Sequence, residues 1–160
     1  MERTEAVARA IHDDYVGKQA EAGHTPADNP SMVPWEELPE HLRESNRRQA
    51  EDIANKLRAI ECRIVPLADG QLDLFTFDPP ELEHLARLEH HRWWREREGS
   101  GWAYGPEKDI DGKTTPYLVP YDDLPGEIKK LDRNAVRAIP GVLARAGLGI
   151  ARQEKERGDG

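Results

Sequence analysis

The segment Val33-Pro-Trp-Glu-Glu-Leu-Pro39 returns as Val119-Pro-Tyr-Asp-Asp-Leu-Pro125, every position identical or closely substituted. The register then holds without a gap at an offset of 86 residues. Leu42 aligns with Ile128, Asn46 with Asp132, Arg47 with Arg133, Ile53 with Ile139, Leu57 with Leu143 and Ile64 with Ile150. Upstream, His12 aligns with His90 at an offset of 78, so the second copy carries about eight extra residues, around Trp102-Ala-Tyr-Gly-Pro106. A chain built twice in this way predicts two like halves packed about a pseudo-two-fold axis. Grooves at such axes collect equivalent side chains from both sides and are natural ligand sites.

At 160 residues the chain has the length of one compact domain, long enough to bury roughly 70% of its unfolded surface. Charged residues make up 34% of it, and mean hydropathy is −0.83, values that on their own suggest disorder. The aromatics argue against that, because all four Trp and all four Tyr fall inside the two copies. The net charge of −8 weakens any general affinity for nucleic-acid backbones, which rests on dense Lys and Arg, and no nucleic-acid partner is expected. A local basic pocket for one small anion is still allowed. Cys62 stands alone, so no internal disulfide forms and the interior of a cell is the expected home. No apolar leader or long apolar run is present, and a cytoplasmic protein without a membrane segment is the expectation.

The first helix is predicted from Thr4 to about Ala22, with Val7, Ile11 and Tyr15 on one face, stopped by Gly23-His24-Thr25-Pro26. Ala27–Val33 reads as an irregular crossing. A second helix starts at Pro39 and buries Leu42, Ala50, Ile53, Leu57 and Ile60. Ile64-Val65 and Leu72–Phe77 read as strands around a turn at Ala68-Asp69-Gly70. The second copy opens at Pro80 with a helix to about Glu98, ended by Gly99-Ser100-Gly101. Its closing helix runs from about Pro125, but Pro140 replaces Ala54 and predicts a kink or restart. Gly147 is the expected C-terminal stop, and Arg152–Gly160 an expected frayed tail. The fold class is thus α+β and mainly α, each half being two helices with short strands and irregular crossings. The expected organisation is a first repeat over 1–66, a connection over 67–79, a second repeat over 80–152 and a tail over 153–160, in one compact domain.

Glu89-His90-His91-Arg92-Trp93, Gly101-Trp102-Ala-Tyr104-Gly105, Pro116-Tyr-Leu-Val-Pro-Tyr121 with Leu124, and Asp132-Arg133 together resemble the RyR domain. That module is named for the tandem repeats of animal ryanodine receptors and also occurs in bacterial and phage proteins. Residues 5–65 resemble the degenerate partner repeat, without the Gly-Trp-x-Tyr-Gly element, and Thr115 stands where many relatives have His. The resemblance implies a non-catalytic module with an adenine nucleotide held in a cleft between paired repeats. The Trp of His-x-x-Trp would flank the base; by position that residue is Trp93 in the second copy and Tyr15 in the first. The implied role is a sensor or signalling module for a nucleotide or nucleotide-derived signal. It would need no cofactor and no metal, and a homo-oligomer or an effector protein would complete its partners.

The residues themselves leave alternatives open. Tyr15 and Trp93 can sandwich a base or simply fill a core. His12 and His90 can donate to ribose or phosphate, or cap carbonyls. Arg97, one turn after Trp93, can pair with phosphate, and Lys108 and Lys113 can close over it. Trp102 and Tyr104, with Tyr121, either pin the inserted loop as a small core or wall a pocket. Asn46-Arg47 and Asp132-Arg133 read as a polar tie between the halves. Glu36-Glu37 and Asp122-Asp123 suit helix starts. The cluster His84, Glu89, His90 and His91 has no usual zinc spacing. No hydrolase elbow, phosphate loop or dinucleotide fingerprint is present. A protein-interaction domain using Trp35, Trp94 and Tyr117 as exposed anchors is the rival reading. A nucleotide-acting enzyme dependent on His90 or Glu89 ranks third.

Overall fold

The computed structural model describes residues 2–68, 70–71 and 75–153. It is mainly helical, with two small two-stranded sheets. The chain divides into two compact units, Met1–Phe75 with Ile139–Gly160, and Thr76–Ala138.

In the first unit, α1 (Glu2–Glu21) packs on α2 (Glu40–Ala59). The buried face of α1 is Val7, Ala8, Ala10 and His12; Ile11 is half-buried and Tyr15 is 40% exposed. The apolar stripe predicted through Tyr15 therefore ends one turn early, because a buried histidine takes its place. Gly23, at φ +88, ends this segment with its N–H on the Ala20 carbonyl (3.0 Å), and residues 27–33 form no helix or strand. Pro39 caps α2, which buries Ala50, Ile53 and Leu57 as predicted, and also Lys56, paired one turn back with Asp52. Leu42 and Ile60 are only half-buried.

Strand β1 (Cys62–Pro66) contains the predicted Ile64-Val65. Its partner is not the following segment: Phe75–Phe77 carry no strand, and Leu72–Leu74 lie outside the described residues. A local turn still forms, with Gln71 N–H on the Ala68 carbonyl (2.9 Å), but β1 is paired elsewhere along its length. It pairs antiparallel with β4 (Leu148–Arg152), the strand that closes the second copy. The register sets Ile64 opposite Ile150, Cys62 opposite Arg152 and Pro66 opposite Leu148. Ile150 is the counterpart of Ile64 at the 86-residue offset, so the ribbon has its own local two-fold at that pair.

In the second unit, α3 (Pro79–Gly99) packs on α4 (Gly126–Arg137). Asp78 and Glu81 form a capping box at the start of α3, each side chain accepting from the other's backbone N–H at 2.9 and 3.0 Å. Leu85, Ala86, Leu118, Tyr121, Leu124 and Val136 make its core. Where α2 runs unbroken, α4 stops at Arg137. A separate α5 (Ile139–Arg145), grouped with the first unit, follows as Pro140 predicts. Gly147 lies beyond α5 at φ +74, and its counterpart Glu61 beyond α2 is also left-handed, at φ 57.

The extra residues of the second copy form a parallel pair, β2 (Ala103–Tyr104) with β3 (Thr114–Thr115). Gly105 is buried there, and a Cβ on it would stand 2.8 Å from Thr114 Cβ. The last glycine of Gly-Trp-x-Tyr-Gly is thus required by close approach of the two strands.

Candidate ligand pocket in the second half

The repeated motif is fastened to its helix in the same way twice. His90 is buried and donates its Nε2–H to the Val119 carbonyl at 2.7 Å; His12 does the same to Val33 at 2.6 Å. Each imidazole stacks on the aromatic three residues later: Trp93 at 5.6 Å and 22°, Tyr15 at 6.4 Å and 29°. Each also meets the buried aromatic of the motif at 6.3 Å, Tyr121 or Trp35. The histidines therefore take the carbonyl-capping role, and their Nε2 atoms are committed to it.

A second set of matched contacts lies behind. Arg133 grips Glu83 through two bonds of 2.8 and 3.1 Å, and Arg47 grips Glu5 at 2.7 and 3.3 Å. The arginine contact holds both carboxyls below their ordinary range, against the opposing effect of burial. Each tie is internal to its own half, which corrects the expectation that these arginines join one half to the other. Each joins first and second helix of the same copy. Asp122 and Glu36 occupy the starts of short 3-10 turns, as expected for acids there. Each also accepts from an arginine of the first helix, Arg87 at 2.6 Å and Arg9 at 2.7 Å.

Over this scaffold the second unit holds a cavity of about 390 Å³ between α3, α4 and the inserted loop. Trp93, Trp102, Tyr117, Ile128 and Leu131 form its walls, and Glu89, Asp132, Arg97 and Lys108 its charges. The Arg97 guanidinium lies 5.6 Å from the Trp93 ring centre and 5.3 Å from that of Trp102. Among the described residues neither Arg97 nor Lys108 has an ion-pair partner. Arg92 is bound to Glu89 and Glu96 instead. Asp132 Oδ2 stands 3.8 Å from His90 Nδ1. Lys113 does not reach this cavity's lining; its ammonium donates to the Ser100 carbonyl at 2.9 Å.

The first unit has a counterpart of about 300 Å³, lined by Leu38 and by Ile11, His12, Tyr15, Ser31, Leu42, Ser45, Asn46 and Gln49. At the two offsets all of these but Leu38 fall on residues that line the second cavity, namely Glu89, His90, Trp93, Tyr117, Ile128, Leu131, Asp132 and Ala135. In the first unit Asn29 Nδ2 bonds both the Tyr15 hydroxyl (2.9 Å) and Gln19 Oε1 (3.3 Å). A wider depression of about 600 Å³ surrounds Arg47, whose guanidinium is already paired with Glu5, Glu40 and Glu44.

Of the residues singled out from sequence, Trp93, Arg97, His90 and Trp102 share one cavity, while Tyr15 and His12 line the counterpart. Tyr104 is 60% exposed and lines neither. Tyr121 belongs to the main core with Ala86 and Leu124 rather than to a core pinning the loop. Trp35 is 5% exposed and cannot be a surface anchor, since it fills the place of Tyr121; Trp94 and Tyr117 are half-buried. Asp132, Ile128 and Leu131 were not singled out as pocket residues, although their alignment with Asn46, Leu42 and Ser45 carried the signal. Among the described residues no group of three His, Cys, Asp or Glu side chains could hold a metal. No described helix is long and apolar enough to cross a membrane.

A mainly helical α+β scaffold with a mixed aromatic and charged pocket defines the class. Residues 80–152, from the start of α3 through β4, match the family model of the RyR domain. The chain therefore carries an RyR domain in its second half, a family that suggests a ligand-binding or interaction module.

Proposed function

We propose that the second-half pocket binds a small nucleotide of adenine type, or a signal derived from one, without turning it over. The observation that carries this reading is the combination, in one cavity, of two indole rings with two cations that lack ion-pair partners among the described residues. A base stacked on an indole gains about 1–3 kcal/mol. A phosphate at the mouth is then within the province of Arg97 and Lys108. Asp132, an acceptor on the α4 wall, suits the exocyclic amine of adenine. Turnover finds little support, because His90 Nε2 is held by Val119 and Glu89 by Arg92.

The protein acts as a sensor in this reading, its occupied and empty states differing in what they present to a partner. Calorimetric titration of the folded protein with AMP, ATP, ADP-ribose and a cyclic adenine nucleotide tests it. Saturable heat with at least one of them is expected. The absence of binding by all four at millimolar concentration overturns it.

A further inference from the structure

We infer that Arg97, a solvent-exposed side chain of the pocket lining, covers indole surface that a base would use, and that it thereby selects phosphorylated over unphosphorylated ligands. The inference rests on the nucleotide reading of this pocket and names its specificity-determining residue. Arg97 lies over both Trp93 and Trp102, so its flat, weakly hydrated guanidinium takes ring surface that a base would use. Nothing directional keeps it there: no carboxylate among the described residues pairs with it.

The first half shows the alternative. Gln19, at the position of Arg97, and Asn29, at the position of Thr115, latch the Tyr15 ring with directional hydrogen bonds. In the second half Thr115 is buried and accepts from the backbone N–H of Tyr117 (3.3 Å), and among the described residues no such latch forms on Trp93. The ring is covered by a long side chain on the last turn of α3, free to swing toward solvent. A nucleoside entering the slot displaces the guanidinium and returns nothing for it. A nucleotide displaces it and supplies a phosphate for it to grip, with Lys108 on the loop as second cation. Arg97 thus penalises the neutral ligand and rewards the charged one.

The test compares AMP and adenosine by calorimetry on the wild-type protein, Arg97→Ala and Arg97→Lys, with circular dichroism confirming the fold of each. Arg97→Ala is expected to bind adenosine roughly tenfold tighter than wild type does, and AMP at least several-fold weaker. Arg97→Lys keeps the charge but loses the planar cover, and should retain much of the AMP affinity while admitting adenosine better. If wild type binds AMP but Arg97→Ala weakens or leaves unchanged both ligands in parallel, the displacement inference is overturned and the nucleotide reading stands. If neither ligand binds wild type or either variant, this inference is overturned, and the nucleotide reading falls with it only if ATP, ADP-ribose and the cyclic nucleotide also fail to bind wild type.

Discussion

The two halves share a scaffold almost residue for residue and differ in what they built over it. Val7, Ala8, His12, Trp35, Leu38 and Leu57 are buried in the first; Leu85, Ala86, His90, Tyr121, Leu124 and Leu143 are buried at the matching places in the second. The His-to-carbonyl bond, the Arg–Glu grip and the Arg–acid contact recur with distances that agree within a few tenths of an ångström. The pockets diverge. One is lined by Ser31, Ser45, Asn46 and Gln49 and latched by Asn29; the other has Tyr117, Leu131, Asp132 and Ala135 there, with Trp102, Arg97 and Lys108 added. Duplication preserved what holds the helices together and released what faces the cavity. Substitutions should therefore act alike in the two halves when they touch the scaffold and unlike when they touch the pocket.

The largest effects are the symmetric ones. Leu57 and Leu143 are fully buried counterparts, so Leu57→Ala and Leu143→Ala should each lower unfolding free energy by about 2–5 kcal/mol in urea melts. A cost confined to one of them would break the scaffold equivalence. Next comes the asymmetric case. Trp93→Ala should weaken AMP binding by about 1–3 kcal/mol, since it removes a stacking face. Tyr15→Ala, whose ring is held by Asn29 in the other pocket, should change AMP affinity by less than about threefold. Equal losses would mean that the nucleotide reads both rings.

Much of this was legible in the chain, for a physical reason. The Pro140 break, the Gly147 stop and the centre of the α2 face (Ala50, Ile53, Leu57) follow from local rules of periodicity and backbone geometry, and they held, whereas the α1 face through Tyr15 did not. The offset of 86 aligned Ile64 with Ile150 as equivalent positions, but equivalence alone does not say that the two pair. The β1–β4 ribbon was missed because a strand's partner is a non-local choice, and Leu72–Phe77 was nearer in sequence. Trp35 is an exposed anchor only in the rival reading, where a tryptophan beside two glutamates looks superficial, and it is buried. Its burial depends on the histidine of another helix. The pocket's second wall escaped notice because Ile128 and Leu131 are ordinary helix residues until α3 is placed opposite them.

Helix ends offer a smaller and sharper contrast. Gly147 and Glu61 are counterparts, both in the left-handed region, at φ 74 and φ 57. Only glycine adopts that conformation without steric penalty, which for other residues is about 1–2 kcal/mol. Gly147→Ala should thus destabilise by about 1 kcal/mol, whereas Glu61→Gly should stabilise by up to that amount. Thermal melts of the two single variants would show opposite signs. Destabilisation by both would show that the Glu61 side chain contributes more than its backbone costs.

The smallest expected effect isolates a titratable difference at the centre of the repeated motif. Trp35 and Tyr121 fill the same niche, but only the tyrosine has a proton to lose. Burial, reinforced by the neighbouring Glu83 carboxylate, pushes the Tyr121 hydroxyl from 10.0 up to about 12, and the hydroxyl makes no hydrogen bond of regular geometry. A group whose pKa is raised on folding binds its proton more tightly in the native state. Its contribution is complete below the unfolded value and is lost as pH rises through the folded one. Between about pH 10 and pH 12 the native protein should therefore lose stability more steeply than Tyr121→Phe, which has no phenolic proton. Other tyrosines and lysines titrate in both proteins and cancel in the difference of their melting temperatures. The gap should be constant up to about pH 9 and move in favour of the phenylalanine variant above pH 10. A gap that stays flat to pH 12 would mean that Tyr121 ionises as readily folded as unfolded, and that its niche is wetter than that of Trp35.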